Sequence, residues 1–191
     1  RVFVSRVAPS QWQYSRIIEV EAYGTAVTSA VNVALAGNGG TASASSFAGS
    51  AYAPSGAING ERRGVNFGAG GGWNDNTLGV SPDWLQIDFN GVKSISEIDV
   101  FTLQDDYTNP QEPTEAMTFS LYGIVDFEVQ YWNGSSWITV PGGSVTNNNK
   151  VWRKFAFSPI STSSIRVFVS RVAPSQWQYS RIIEVEAYTA P

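Results

Sequence analysis

The sequence predicts an all-β protein whose strands are antiparallel neighbours in a β-sandwich or jelly-roll. Three observations carry that prediction. Apolar and polar residues alternate along much of the chain, the period-2 pattern of strands with one buried face. Asn-Gly pairs stand between alternating runs, and both residues tolerate the positive φ that tight hairpins need. The composition is 42% hydrophobic and 13% aromatic, with 18 Gly, 9 Pro and only 15% charged residues. It is too apolar for disorder and rich in turn formers.

The elements follow in order. PSGAING (54–60) has room for a single helical turn, and no stretch carries a sustained helical period. In WLQIDF, Leu85, Ile87 and Phe89 share one face while Gln86 and Asp88 take the other. Asn90-Gly91 predicts a hairpin from this strand into KSISEIDVF. Asn133-Gly134 predicts another, from FEVQYW (Phe127, Val129 and Tyr131 inward) into SSWITV. PGGSVTNNNK (141–150) reads as a polar connection. SIRVFVSRV turns Ile165, Val167 and Val169 inward, and RIIEVEAY does the same with Ile183, Val185 and Ala187.

Residues 1–23, RVFVSRVAPSQWQYSRIIEVEAY, are identical to residues 166–188. An identity of that length marks a tandem repeat, from recent duplication or from assembly of repeat units. The chain therefore reads as a slice of an array cut out of register. Residues 1–23 are the terminal strand pair of a preceding repeat, 24–31 (GTAVTSAV) a small-residue linker, 32–188 one complete domain, and 189–191 the start of the next linker. Two copies of the final strand pair face one slot. Whichever copy docks, the other exposes Val2, Val4, Val7, Ile18 and Val20, or their twins, unless a neighbour covers them.

Charge and residue types narrow the function. The net charge is −4 and the 12 basic residues are scattered, so the clustered cations that bind nucleic acid or an anionic membrane are missing. There is no cysteine for a disulfide or thiolate metal site, and no apolar run approaches the ~18 residues of a membrane span. With neither His nor Cys, the common nucleophile–base pairs are unavailable. The carboxylates lie in turns or alternate on strands, where solvated faces explain them better than a glycosidase pair does. GAGGGW (68–73) precedes no helix, so it is not a phosphate loop. The sequence points to a protein that is not an enzyme.

The order of motifs from Asn32 resembles the discoidin family, the coagulation-factor type C domains that include the family 32 carbohydrate-binding modules. The resemblance rests on NVALAGNGGTASASS, SGAING (55–60), GGWND (71–75), PDWLQIDF (82–89), FEVQYWNGSSWITV and the closing pair IRVFV…SRIIEVEAY. It covers essentially all of 32–188. It implies a discoidin-like β-sandwich of about eight antiparallel strands with neighbouring termini, binding glycans or cell-surface components without catalysis. It also implies an extracellular or surface location in a secreted, bacterial protein.

The resemblance further implies a structural Ca²⁺, an ion that takes six to eight oxygens. Carried over residue by residue, the side chains are Asn59, Glu61 and Glu184, and the backbone oxygens those of Gly56, Gly64 and Ile183. Two positions depart from the family: Asn59 brings no charge, and Gly64 stands where Thr is frequent. The competing reading makes Glu184 an outward strand residue paired with Arg62 or Arg63. In such a sandwich the loops at one end present the binding groups: 46–54, 61–75, 103–123 and 173–180. Sugar recognition needs a flat ring for the apolar face of a pyranose and planar polar side chains beside it. Trp177 and Tyr179 offer rings beside Gln176 and Gln178, and Arg62, Arg63, Asn74, Asp105, Asp106 and Tyr107 offer polar contacts. Asp105-Asp106 are also explained as turn caps, Tyr122, Trp132, Trp137 and Trp152 as packing, and the resemblance implies that Trp73 and Trp84 fill the core. Histidine, frequent in sugar-binding members, is absent.

Two functions remain open at this point. One is a binding module gaining avidity as a unit of an array. The other is a structural unit of a stalk or filament that assembles with neighbouring copies by strand exchange or end-to-end contact.

Overall fold

The computed structural model describes residues 29–175 and 177–190, together with residues 3, 4, 9, 15, 17 and 20. The strand pair expected at 1–23, most of the linker at 24–31, Gln176 and Pro191 fall outside the described residues or are described only at isolated positions. The alternating segments form seven strands: β1 (Thr41–Ala44), β2 (Trp73–Asn74), β3 (Asp83–Thr102), β4 (Ile124–Trp132), β5 (Trp137–Val145), β6 (Trp152–Val172) and β7 (Arg181–Thr189). Every pairing between them is antiparallel. PSGAI makes a short 3₁₀ turn at Pro54–Ile58. Among the described residues no helix is long and apolar enough to cross a membrane.

β3 and β6 are long because each serves both layers of a sandwich. Residues 83–88 of β3 pair with β1 and with 164–169 of β6. Residues 93–101 pair with 152–162 of β6 and with β7. One layer is thus β1, the first half of β3, the second half of β6, β4 and β5. The other is β2, β7 and the remaining halves. Leu85, Ile87, Phe127, Val129, Val167 and Val169 from the first layer meet Ile98, Val100, Phe155, Ile182, Val185 and Ala187 from the second in one core.

Asn90-Gly91 does not form the hairpin that the sequence predicts. Asp88 faces Ser164 and Lys93 faces Thr162, so four residues of β3 stand opposite one of β6. Gly91 takes a φ of 78°, but the extra residues bend the strand from one layer to the other instead of reversing it. The reversal fails because β6 is long enough to pair with both halves of β3 and to hold them in one line. WLQIDF and KSISEIDVF thus lie in one strand, β3, where the sequence predicts two. Asn133-Gly134 does turn β4 into β5: Asn133 Oδ1 accepts the Ser135 and Ser136 N–H groups at 2.9 Å each. PGGSV (141–145) belongs to β5, not to a connection. Gly143 makes room there, since a Cβ would sit 2.7 Å from the Val129 carbonyl oxygen.

Burial alternates strictly along 83–89 of β3. Trp73 is fully buried and donates its indole N–H to Ser46 O at 2.8 Å. Trp84, by contrast, shares the half-buried face of Gln86 and Asp88 and does not fill the core. In β7, a register shift opposite Phe101/Thr102 makes Ile183 an extra residue. It leaves the face of Val185 and Ala187 and packs with Phe101 and Leu103 in a separate cluster.

β3 also buries a carboxyl. Asp99 is 3% exposed and accepts the Trp152 indole N–H at 3.0 Å. Burial outweighs that bond and pushes its pKa from 3.8 to about 6. A carboxyl with a raised folded pKa binds more protons folded than unfolded, so its contribution is present at low pH and lost as pH rises from about 4 to about 6. Denaturant titrations should show Asp99→Asn, which keeps the acceptor, losing less stability than the parent over that window. The expected difference is about 2 kcal/mol, at about 1.4 kcal/mol per pKa unit. Parallel profiles would refute it.

Candidate functional site

Loops from both layers converge at one end of the sandwich, held by a small polar network. Asp75 Oδ1 accepts the Ser180 N–H at 2.7 Å and its Oδ2 accepts from Thr77. Asp83 Oδ2 accepts the Ser180 hydroxyl at 2.8 Å. Gly79 N–H donates to Gln178 O at 2.8 Å. These bonds fix the 173–180 loop against the loop after β2.

Between the loops lies a pocket of about 380 Å³. One wall is a run of edge-to-face rings: Tyr52 to Phe67 at 5.3 Å, Phe67 to Tyr107 at 6.2 Å, and Tyr107 to Tyr122 at 5.6 Å between centroids. The opposite rim is Tyr179 and Trp177, and Trp177 is 50% exposed. Arg181, the first residue of β7, lies at the base. Its guanidinium carbon sits 5.4 Å from the Tyr122 ring centre and 5.2 Å from that of Tyr179. Ala48, Asn74 and Leu103 complete the lining.

Of the residues that the sequence nominated for a ligand, Asn74, Tyr107, Trp177 and Tyr179 meet in this pocket. Gln176 lies outside the described residues. The others are engaged elsewhere. Asp105 caps a loop by accepting the Ser120 and Leu121 N–H groups. Asp106 accepts the Thr108 hydroxyl. Arg62 forms a forked pair with Glu186, 2.8 Å on each arm, and also donates to the Tyr188 hydroxyl. Arg63 binds Glu61 at 2.9 Å. Sequence reasoning missed Tyr52, Phe67 and Arg181, and assigned Tyr122 to packing. Arg181 carried one legible signal, a charge at the opening of a strand ahead of Ile182 and Ile183.

At the position of the implied metal, Glu184 is fully buried. Its two oxygens accept the N–H groups of Asn59 at 3.1 Å and Gly60 at 3.0 Å. The Asn59 amide oxygen accepts the Glu61 N–H at 2.7 Å. Glu61 accepts from the N–H groups of Arg63, Gly64 and Val65 and from the Arg63 guanidinium.

The sequence model of the F5/8 type C domain matches residues 41–185. This chain belongs to the F5/8 type C (discoidin) family. The same fold recurs in several solved structures. The family 32 carbohydrate-binding module of Streptococcus pneumoniae EndoD has a TM-score of 0.61 at 14% identity, over 84% of this chain and 100% of that one. Chitosan-binding module 1 of a Paenibacillus chitosanase/glucanase gives 0.59 at 19% identity, over 83% and 98%. The family 32 module of Clostridium perfringens NanJ, solved in complex with galactose, gives 0.54 at 21% identity, over 78% and 93%. No curated protein sequence is similar enough to count as a relative.

The residues of this discoidin domain fit a calcium ion in part. Glu184 suits it: among the described residues no cationic side chain pairs with the carboxylate, and burial pushes its pKa up to about 8. Glu61 suits it less. Burial raises its pKa, but the hydrogen bonds from Val65, Arg63 and Gly64 outweigh burial and hold it below the usual value. Among the described residues no three acidic side chains converge. Gly64 cannot be replaced cheaply, because its φ is 85° and a Cβ would lie 3.0 Å from Ile183 Cδ1. Gly56 lets loop backbones touch, since a Cβ there would lie 2.6 Å from Gly70 O and Gly72 N.

The Arg62–Glu186 pair buttresses this corner, with the Glu186 side chain 4% exposed. Arg62→Met should cost about 2–3 kcal/mol in denaturant melts by stranding a buried carboxylate. Arg63→Met, which breaks exposed contacts, should cost under about 1 kcal/mol. Equal losses would show that burial does not set the difference.

Proposed function

We propose that this domain is a non-catalytic glycan-binding module, acting outside the cell or at its surface as one unit of a repeat array. The observation that carries the reading is the ring-walled pocket with Trp177 at its rim. A pyranose presents apolar C–H faces to rings and hydroxyls to polar groups, and small-ligand sites are concave and mostly apolar with a few placed polar groups. Asn74 and Arg181 supply such groups here. Family membership supports the reading, as do neighbours solved with galactose or described as chitosan-binding. Repetition would raise the avidity of a weak single site. On a glycan array, Trp177→Ala should reduce binding at least about tenfold while the half-exposed position leaves the melting midpoint unchanged. Retained binding would remove the pocket from consideration.

Calcium in this reading is structural, carried by Glu184 with main-chain oxygens of the 56–64 turn. When bound, the ion would neutralise a buried carboxylate and tie that turn to β7. Thermal melts should give a higher midpoint in calcium than in EDTA, and Glu184→Gln should erase the difference. An unchanged midpoint in the parent would mean that no bound calcium stabilises the fold.

A second reading, assembly of copies, is favoured by one observation. The strand pair 166–188 lies within β6 and β7, and residues 1–23 repeat its sequence without a substitution. In that segment Val4, Ile17 and Val20 are 42%, 50% and 62% exposed. Light scattering should detect a concentration-dependent increase in mass that deletion of residues 1–23 abolishes. A strict monomer at every concentration would exclude assembly.

A further inference from the structure

Among the described residues Arg181 is the one formally charged residue lining the pocket, and it is only 6% exposed. Burying a guanidinium is costly unless an anion meets it. The other arginine of β7's neighbourhood obeys that rule, since both arms of Arg62 reach Glu186. Arg181 does not. Among the described residues no carboxylate comes within 4.0 Å of it. The acid that influences it from farther off, Asp75, is committed to Ser180 and Thr77. Burial accordingly depresses its pKa, with the charge of Asp75 a lesser, opposing influence.

The hydrogen bonding of Arg181 is equally incomplete. Among the described residues its one side-chain bond runs from Nη1 to Tyr179 O at 3.5 Å, against five N–H donors in a guanidinium. The rings of Tyr122 and Tyr179 position the group by their faces. Such contacts leave in-plane N–H donors available, and a planar fork of donors matches a carboxylate through two parallel bonds. Tyr52, Tyr107, Tyr122 and Tyr179 also line the pocket, and among the described residues their hydroxyls make no hydrogen bond within the protein.

Resting on the glycan-binding reading above, we propose that the pocket selects a saccharide bearing a carboxylate, with Arg181 as its anchor and the rings of the wall against the sugar. A neutral hexose would meet the same rings but leave the buried charge uncompensated. The carboxylate could belong to a uronic acid or to a sialic acid.

The test is calorimetric titration of the whole chain with tri-galacturonate, a glucuronate disaccharide and sialyllactose, beside galactose, lactose and methyl-esterified tri-galacturonate. At least one acid should bind about tenfold or more tighter than its neutral counterpart, and the arm that does so identifies the source. That preference should vanish in Arg181→Lys, which keeps a charge but loses the fork, and the complex should weaken in Trp177→Ala. The esterified and neutral comparisons use the parent protein, so they decide the matter even if the arginine variant fails to fold. If galactose or lactose binds through Trp177 as tightly as any acid, the anchor is overturned and the glycan-binding reading stands. Acid binding indifferent to Trp177 overturns it too, by placing the anion elsewhere. If no saccharide of either kind binds, both fall.

Discussion

The structure depends on β3 and β6 lying in both layers at once. Each contributes one half to each layer, so the layers share two strands and are not joined by loops alone. The chain must therefore bend twice at matched places without losing its partner. The four-for-one register at 89–92 meets that demand in β3, with Gly91 supplying a backbone angle that side chains resist. A further shift opposite Ile95 and Glu97 adjusts the fit. With the crossing strands fixed, the other strands take the edges that remain.

β7 is the strand most constrained by this arrangement. It lies between β2 and β3, and its residues from Arg181 to Ala187 are all buried, charged ones included. One side supplies core; the other holds Arg181 at the pocket, Glu184 under the 59–60 turn and Glu186 on Arg62. Three polar tasks thus hang on one short, rigid element, separated by the Ile183 register shift. The shift moves Glu184 and Glu186 out of the core and under the loops without breaking β7's pairing with β3.

Much of the fold was legible in the alternation. Leu85, Ile87, Val167 and Val169 point inward as their spacing requires, and Asn133-Gly134 makes its hairpin. The family resemblance likewise placed the loops correctly at one end. What escaped was whatever depends on partners distant in sequence. Asn90-Gly91 carries the same local signal as Asn133-Gly134, and only the length of β6 decides that one bends and the other turns. Trp84 has the look of a core residue, but its parity with Gln86 puts it on the half-buried face. The pocket was half legible: Trp177 and Tyr107 stand out as rings in loops, whereas Phe67 and Arg181 acquire meaning only when four loops meet. Arg62 and Asp105 looked available in the sequence because their partners, Glu186 and the Ser120–Leu121 backbone, are far along the chain.

The repeated segment bears on recognition as well as assembly. The stretch 1–23 carries Trp12, Tyr14, Arg16 and Glu19 at the places of Trp177, Tyr179, Arg181 and Glu184. A terminal pair donated by a neighbouring chain would bring the same rim, the same guanidinium and the same carboxylate to loops that never leave the recipient. A composite pocket built from two polypeptides would then be chemically indistinguishable from one built by a single chain. Polymerisation by this route would be silent to the ligand, and an array could grow, shorten or heal without altering what it binds.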